Sequence, residues 1–228
     1  MLNCGMIYCD IICITIINEH FNNILVMSFF TLLWEGIIGT SIVEWLAVVS
    51  TIIYVVLAAK RNILCWIFAF VGSSCFVYLC YIGNLYIESI LQLFYVAMAI
   101  VGWVSWKESN FDNYNIKKWG LINHIFNILI CGLIAILVGF IFDRYTNQSY
   151  PYIDSFTTCY SLSATYMVTR KILGNWIYWI VIDLISIYLY ANRFYYLTAI
   201  QYGLFTFLAI YGFIEWQKEY KRQNKCIE

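Results

Sequence analysis

One carboxylate lies inside an otherwise apolar run: Asp183, within RKILGNWIYWIVIDLISIYLY (170–190). An ionisable side chain in a segment long enough to cross a bilayer is costly and by default marks a functional position. At helical spacing, Trp176, Trp179, Asp183, Ser186 and Tyr190 fall at i, i+3, i+7, i+10 and i+14, which is one face. With a rise of about 1.5 Å per residue, Asp183 lies roughly 18 Å past Lys171, near mid-membrane. Aromatic faces around a carboxylate suit a small ligand that is aromatic and cationic. The competing reading has the tryptophans as packing or interfacial rings and Asp183 protonated or bonded to a neighbouring helix.

Other candidates sit on other apolar segments. Glu88, Gln92 and Tyr95 share a face that Ala99 and Gly102 continue with small residues, which allow close helix approach. Gln92 is an uncharged donor and acceptor suited to a hydroxylated ligand such as a ribose, or equally to a helix-to-helix hydrogen bond. Trp66, Ala69, Phe70 and Ser73 form the face equivalent to that of Trp176, Trp179 and Asp183, so a site there is asymmetric. Near the C-terminus, Thr198, Gln201, Tyr202 and Phe205 follow one another on an apolar run. The candidate binding set is therefore Trp176, Trp179, Asp183, Gln92, Tyr95, Trp66, Phe70, Ser73 and Tyr202. Trp103, Trp106 and Trp216 read as interface anchors.

The elements that position these residues follow from composition. Of 228 residues, 63% are hydrophobic and 11% charged, too little charge to cover a soluble domain of this size. Twenty tyrosines and nine tryptophans suit two membrane interfaces, and the single proline argues against long irregular linkers. The chain is expected to be an all-α, multi-pass membrane protein. A net charge of zero gives no field for nucleic acid. The nine cysteines are scattered without CxxC pairs, and those in apolar runs (Cys65, Cys75, Cys80, Cys131) read as small buried thiols. His20 and His124 lie in no metal-binding pattern, so no metal and no cofactor is expected. GxSxG, HExxH, Walker loops and paired aspartates are all missing, so the chain reads as no enzyme and carries no ATP-powered drive of its own.

Seven spans are expected near 41–59, 62–82, 86–106, 119–142, 152–169, 172–191 and 196–216. Seven crossings collect eleven of the thirteen Lys and Arg residues on one side, leaving Arg144 and Arg193 opposite. The positive-inside rule then puts the N-terminus outside and the C-terminus inside. A shift of 110 residues superposes Glu44 on Asp154, Lys60-Arg61 on Arg170-Lys171, Trp66 on Trp176, Gly102 on Gly212 and Trp106 on Trp216. That offset predicts two parallel three-helix repeats joined by the fourth span, a 3+1+3 arrangement with the site between the repeats. The expected divisions are an N-terminal extension and interfacial helix (1–39), a first repeat (40–108), a linker and fourth span (109–145), a second repeat (146–217) and a tail (218–228). Residues 1–26 lack the basic start and cleavage site of a signal peptide, and Met27 offers an alternative start.

Glu44, KRNILCW (60–66), LYIESILQLFYVAMAIVGWVSW (85–106), RKILGNWIYWIVIDLISIYLY (170–190) and the Gly212–Trp216 ending together resemble the PnuC family of nicotinamide riboside transporters, over residues 40–218. The most specific piece is the family's Trp-x-x-Trp-x-x-x-Asn pattern, met by Trp176 and Trp179, with Asp183 in place of the asparagine. The resemblance implies a seven-helix fold related to SWEET-type sugar transporters, a homotrimer, a bacterial inner (cell) membrane location, and facilitated diffusion of a vitamin precursor for NAD synthesis. Members divide by substrate among nicotinamide riboside, thiamine and riboflavin. A carboxylate at 183 favours a fixed cation, which the first two carry and riboflavin does not; it can also bond ribose hydroxyls, which thiamine lacks. Nicotinamide riboside is the expected substrate, with thiamine the alternative. A seven-helix sensor or an intramembrane enzyme fits less well, because the 110-residue frame is duplicated and no nucleophile–base pair accompanies Asp183.

Overall fold

The computed structural model describes residues 31, 34, 37–83, 86–107, 115–146, 150–192 and 196–225. After a helical stretch at 37–39, seven helices follow: α1 (Ile42–Ala59), α2 (Cys65–Ile82), α3 (Tyr86–Lys107), α4 (Leu121–Tyr145), α5 (Pro151–Thr169), α6 (Asn175–Asn192) and α7 (Tyr196–Lys225). The N-terminal extension, most of the expected interfacial helix, Arg193 and the Glu88 side chain lie outside the described residues.

This corrects the expectation of seven spans in a 3+1+3 arrangement. Among the described residues five helices (α1, α2, α3, α4 and α7) are long and apolar enough to cross a membrane. The other two fall short for a physical reason. Helix α5 is built from Ser155, Thr157, Thr158, Ser161, Ser163, Thr165 and Thr169 between its apolar residues, and α6 carries Asn175, Asp183, Ser186 and several tyrosines. These polar groups are turned inward: Ser155, Thr157, Ser161, Thr165, Thr169, Asn175, Asp183 and Ser186 are all buried. The assignment of termini to sides and the even-crossing argument rested on seven crossings, and both fall with them.

Packing is sequential with two crossings. Helix α1 packs on α2 and α2 on α3; α4 packs on α5, α5 on α6 and α6 on α7; α1 also meets α7, and α3 meets α5. Ser41 caps α1 by accepting from the Glu44 N–H at 3.2 Å. Helices α1 and α5 end alike. Arg61 (φ 57°) and Lys171 (φ 55°) stand in the left-handed position that usually selects glycine. The N–H groups of Arg61 and Asn62 return to the Ala58 and Leu57 carbonyls, and those of Lys171 and Ile172 to the Val168 and Met167 carbonyls, at 2.9–3.0 Å. A non-glycine residue in that conformation costs about 1–3 kcal/mol, so the surrounding contacts must hold it.

Those contacts are a layer of indoles. Trp66 meets Trp106 edge-on at 5.4 Å and 88°, and Trp176 meets Trp216 edge-on at 5.5 Å and 87°. Trp106 and Trp216 lie 6.4 Å apart, joining the two pairs. The Trp106 Nε1–H donates to the Thr169 carbonyl at 3.2 Å and the Trp216 Nε1–H to the Ala58 carbonyl at 3.1 Å. The anchors assigned to the lipid interface are thus buried: Trp106 and Trp216 belong to the core. Glycine permits the approach, since a Cβ on Gly102 would overlap the Trp66 ring. Cys65, Cys75, Cys131 and Cys159 are free thiols, whereas Cys80, expected as a thiol, is disulfide-bonded.

Candidate functional site

Helices α1, α5, α6 and α7 line a partly open cavity. Trp176, Trp179 and Asp183 enter from α6, Tyr202, Phe205 and Ala209 from α7, Val168 from α5, and Thr51, Tyr54, Val55 and Ala58 from α1. No lysine, arginine or histidine is in the lining. The only carboxylate there is Asp183, 4% exposed.

The rings are held in place from behind. Tyr202 stacks on Tyr190 at 5.3 Å and 15°, and meets Phe205 near-perpendicularly at 6.5 Å. It also hydrogen-bonds with Ser186, from the same turn of α6 as Asp183. Trp176 is fixed by the edge contact with Trp216 and by Gly212, where a Cβ would stand 2.6 Å from the indole. The Trp176 ring lines the cavity, and its Nε1–H is buried with no hydrogen-bond partner. Chemically the arrangement is an apolar aromatic box with one carboxyl group and one unpaired N–H donor. It can bind and orient; nothing in the lining is arranged as a nucleophile and base.

Four of the nine candidates converge here: Trp176, Trp179, Asp183 and Tyr202. Tyr95 is buried just outside, hydrogen-bonded with Ser161. Gln92, Trp66 and Ser73 are buried but are not part of the lining, and Phe70, at 43% exposure, faces outward. The α1 wall was missed, although Thr51, Tyr54, Val55 and Ala58 stand at i, i+3, i+4 and i+7, a helical face legible in the sequence. Phe205 was visible beside Tyr202 but not chosen; Val168 and Ala209 carry no chemical signal.

The turn below the cavity concentrates positive charge. Lys171 is buried with its ammonium 5.1 Å from the centre of the Trp106 ring, and burial together with Arg61 and Lys117 pushes its pKa down to about 8. Lys117 and Leu173 close a short bridge across this turn, the Lys117 N–H donating to the Lys171 carbonyl and the Leu173 N–H to the Lys117 carbonyl. Arg61 pairs with Glu219 at 3.1 Å.

A family model described as nicotinamide mononucleotide transporter matches residues 41–218. The chain belongs to this family. The match spans the five crossing helices together with α5 and α6, so the protein is a multi-pass membrane transporter of the kind found in the bacterial inner membrane, not an enzyme. The nicotinamide riboside transporter PnuC of Escherichia coli K12 is 24% identical over 203 residues, covering 76% of this chain and 85% of that protein. The nicotinamide riboside transporter PnuC of Neisseria mucosa is 24% identical over 197 residues, covering 79% of this chain and 75% of that one. A crystal structure of the vitamin B3 transporter PnuC superposes with a TM-score of 0.65 at 22% identity, over 90% of this chain and 93% of the other. At that identity the likeness establishes a shared fold.

Proposed function

We propose that this protein carries nicotinamide riboside across the membrane by facilitated diffusion, supplying NAD synthesis, and that the α1–α5–α6–α7 cavity is its binding site. The observation that carries the reading is a box of Trp176, Trp179, Tyr202 and Phe205 around the buried Asp183, with no cationic side chain in the wall. A pyridinium ring is flat and permanently positive, so it gains from aromatic faces and from an anionic counter-charge in a low-dielectric site. Asp183 and the unpaired Trp176 N–H also offer an acceptor and a donor to ribose hydroxyls or a carboxamide.

The name of the family model and those of the relatives differ by a phosphate, and the cavity bears on that difference. A phosphoryl group carries a charge of about −1.5 to −2 at pH 7, and here it would be buried beside Asp183 with no arginine or lysine to receive it. The lining therefore favours the riboside over the mononucleotide. Thiamine shares the fixed cation, so Asp183 alone does not separate the two; the ribose hydroxyls favour the riboside.

Initial-rate uptake of labelled nicotinamide riboside into proteoliposomes tests the proposal. Unlabelled riboside should compete, excess mononucleotide should not, and an imposed pH gradient should leave the rate unchanged. Equal competition by the mononucleotide would overturn the pocket argument, and competition by thiamine alone would move the substrate. A homotrimer accompanies this reading. Its support is α4, whose apolar side chains from Leu121 to Ile141 are mostly exposed and need lipid or another copy to cover them. Cross-linking in membranes that yields monomers alone would remove it.

A further inference from the structure

We infer that Trp106 and Trp216 form the latch of a gate, which closes the transport path at the end of the molecule bearing Arg61 and Lys171. The inference rests on the reading of the cavity as the transported ligand's site. Ala58 and Val168 line the cavity, and the latch is fastened at those two places. The Trp216 indole of α7 donates to the carbonyl of Ala58 itself, at the end of α1. The Trp106 indole of α3 donates to the carbonyl of Thr169, next to Val168 at the end of α5. Ser105 Oγ donates to the same Thr169 carbonyl at 3.2 Å. Each indole thus ties its own helix to the end of a helix distant in the sequence, and the 6.4 Å contact between the rings closes the gap between the two ties.

Two features make this a releasable contact. The bonds run from side chains to carbonyls at helix ends that keep another donor when an indole swings away, the Arg61 N–H on Ala58 at 2.9 Å and Ser105 Oγ on Thr169 at 3.2 Å. The turns they hold are those with Arg61 and Lys171 in the left-handed conformation, so the closed layer stabilises a backbone that favours a different arrangement when released. On the outer rim the Arg61–Glu219 pair adds a further contact, Glu219 being shared with Arg222 at 2.9 Å and with Gln223 at 3.2 Å.

A native thiol reports on the layer. Cys65 is free, fully buried, and packed in one cluster with Trp66, Trp106, Trp176 and Trp216. The experiment is labelling of the reconstituted full chain by a membrane-impermeant maleimide, read at Cys65 by peptide mass spectrometry. Trp106→Phe/Trp216→Phe keeps an aromatic ring at each position, though a smaller one, and removes both N–H donors. It should raise the Cys65 labelling rate about tenfold, equivalent to about 1.4 kcal/mol in the closed–open balance. Cys131, a free and buried thiol in a different cluster, should stay protected. An unchanged rate at Cys65 overturns the gate. So does an equal rise at Cys131, because that is general loosening. Nicotinamide riboside binding is measured on the same preparations: a wild-type protein that does not bind it defeats the substrate reading, while the labelling result still decides the gate.

Discussion

Replacing Gly212 by alanine should weaken ligand binding through Trp176 alone. A Cβ at this position would stand 2.6–2.7 Å from three carbons of the Trp176 ring. Carbon atoms prefer separations of about 3.5–4.0 Å, so the indole must retreat by roughly 1 Å. Trp216 stands behind it at 5.5 Å, edge-on, and the open space is the cavity. Overpacking of this kind costs about 1–3 kcal/mol. If half of that falls on the bound state, affinity drops about 2–12-fold. Two glycines provide controls. Gly203→Ala meets nothing within 4 Å and should leave affinity alone, while better helix propensity adds up to about 1 kcal/mol to stability. Gly102→Ala would produce the same overlap with Trp66, which is not in the cavity lining; it should lower Tm and spare binding. Calorimetry for Kd and thermal unfolding on the same samples separates the three. Gly212→Ala within twofold of wild type, or Gly102→Ala weakening binding as much, would refute the reasoning.

Further expectations follow from the same contacts. Asp183→Asn keeps the shape but exchanges a charge-assisted contact for a neutral one, so nicotinamide riboside should bind about 5–10-fold more weakly; unchanged affinity would show that Asp183 is no counter-charge. Phe70→Ala should leave Kd and uptake unchanged, because the ring faces outward; a tenfold loss of uptake would place it in the path. Lys171, pushed down to about 8, is less willing to hold its proton in the folded protein than in the unfolded chain. From about pH 8 towards the ordinary lysine value near 10.4 the unfolded chain binds more protons, so this group makes stability rise with pH. The difference in Tm between wild type and Lys171→Met should therefore grow in favour of wild type from pH 7.5 to about pH 9.5. A difference that is flat or reversed would contradict the burial of that ammonium among like charges.

What the sequence disclosed and what it hid have physical explanations. Asp183 was conspicuous because an ionisable group in an apolar run is costly, and the indoles at 176 and 179 stood on its face. Tyr202 was named with Thr198, Gln201 and Phe205 on one apolar run. Gln92, Ser73 and Trp66 are buried, yet burial does not say into which space a side chain points. Phe70 lies outside the lining, and a strip of large apolar residues has the same spacing whether it faces protein or lipid. The span count failed because α5 and α6 spend their length on serine, threonine, tyrosine and asparagine, many of them bonded to carbonyls one turn back, and are too polar for crossing segments. The basic pairs read as markers of topology, but Arg61 and Lys171 turned out to hold left-handed turns beneath the cavity. The Trp and Gly positions that recur at an offset of 110 residues adopt matching edge contacts, which the sequence signalled as a pattern without saying that the rings meet.

The most direct test of the central claim is the ratio of two dissociation constants on the purified protein, one for nicotinamide riboside and one for nicotinamide mononucleotide. A lone buried carboxylate with no cation beside it should make the riboside bind at least about a hundredfold more tightly, a difference of about 2.7 kcal/mol. Equal affinities, or no measurable binding of the riboside, would contradict the account.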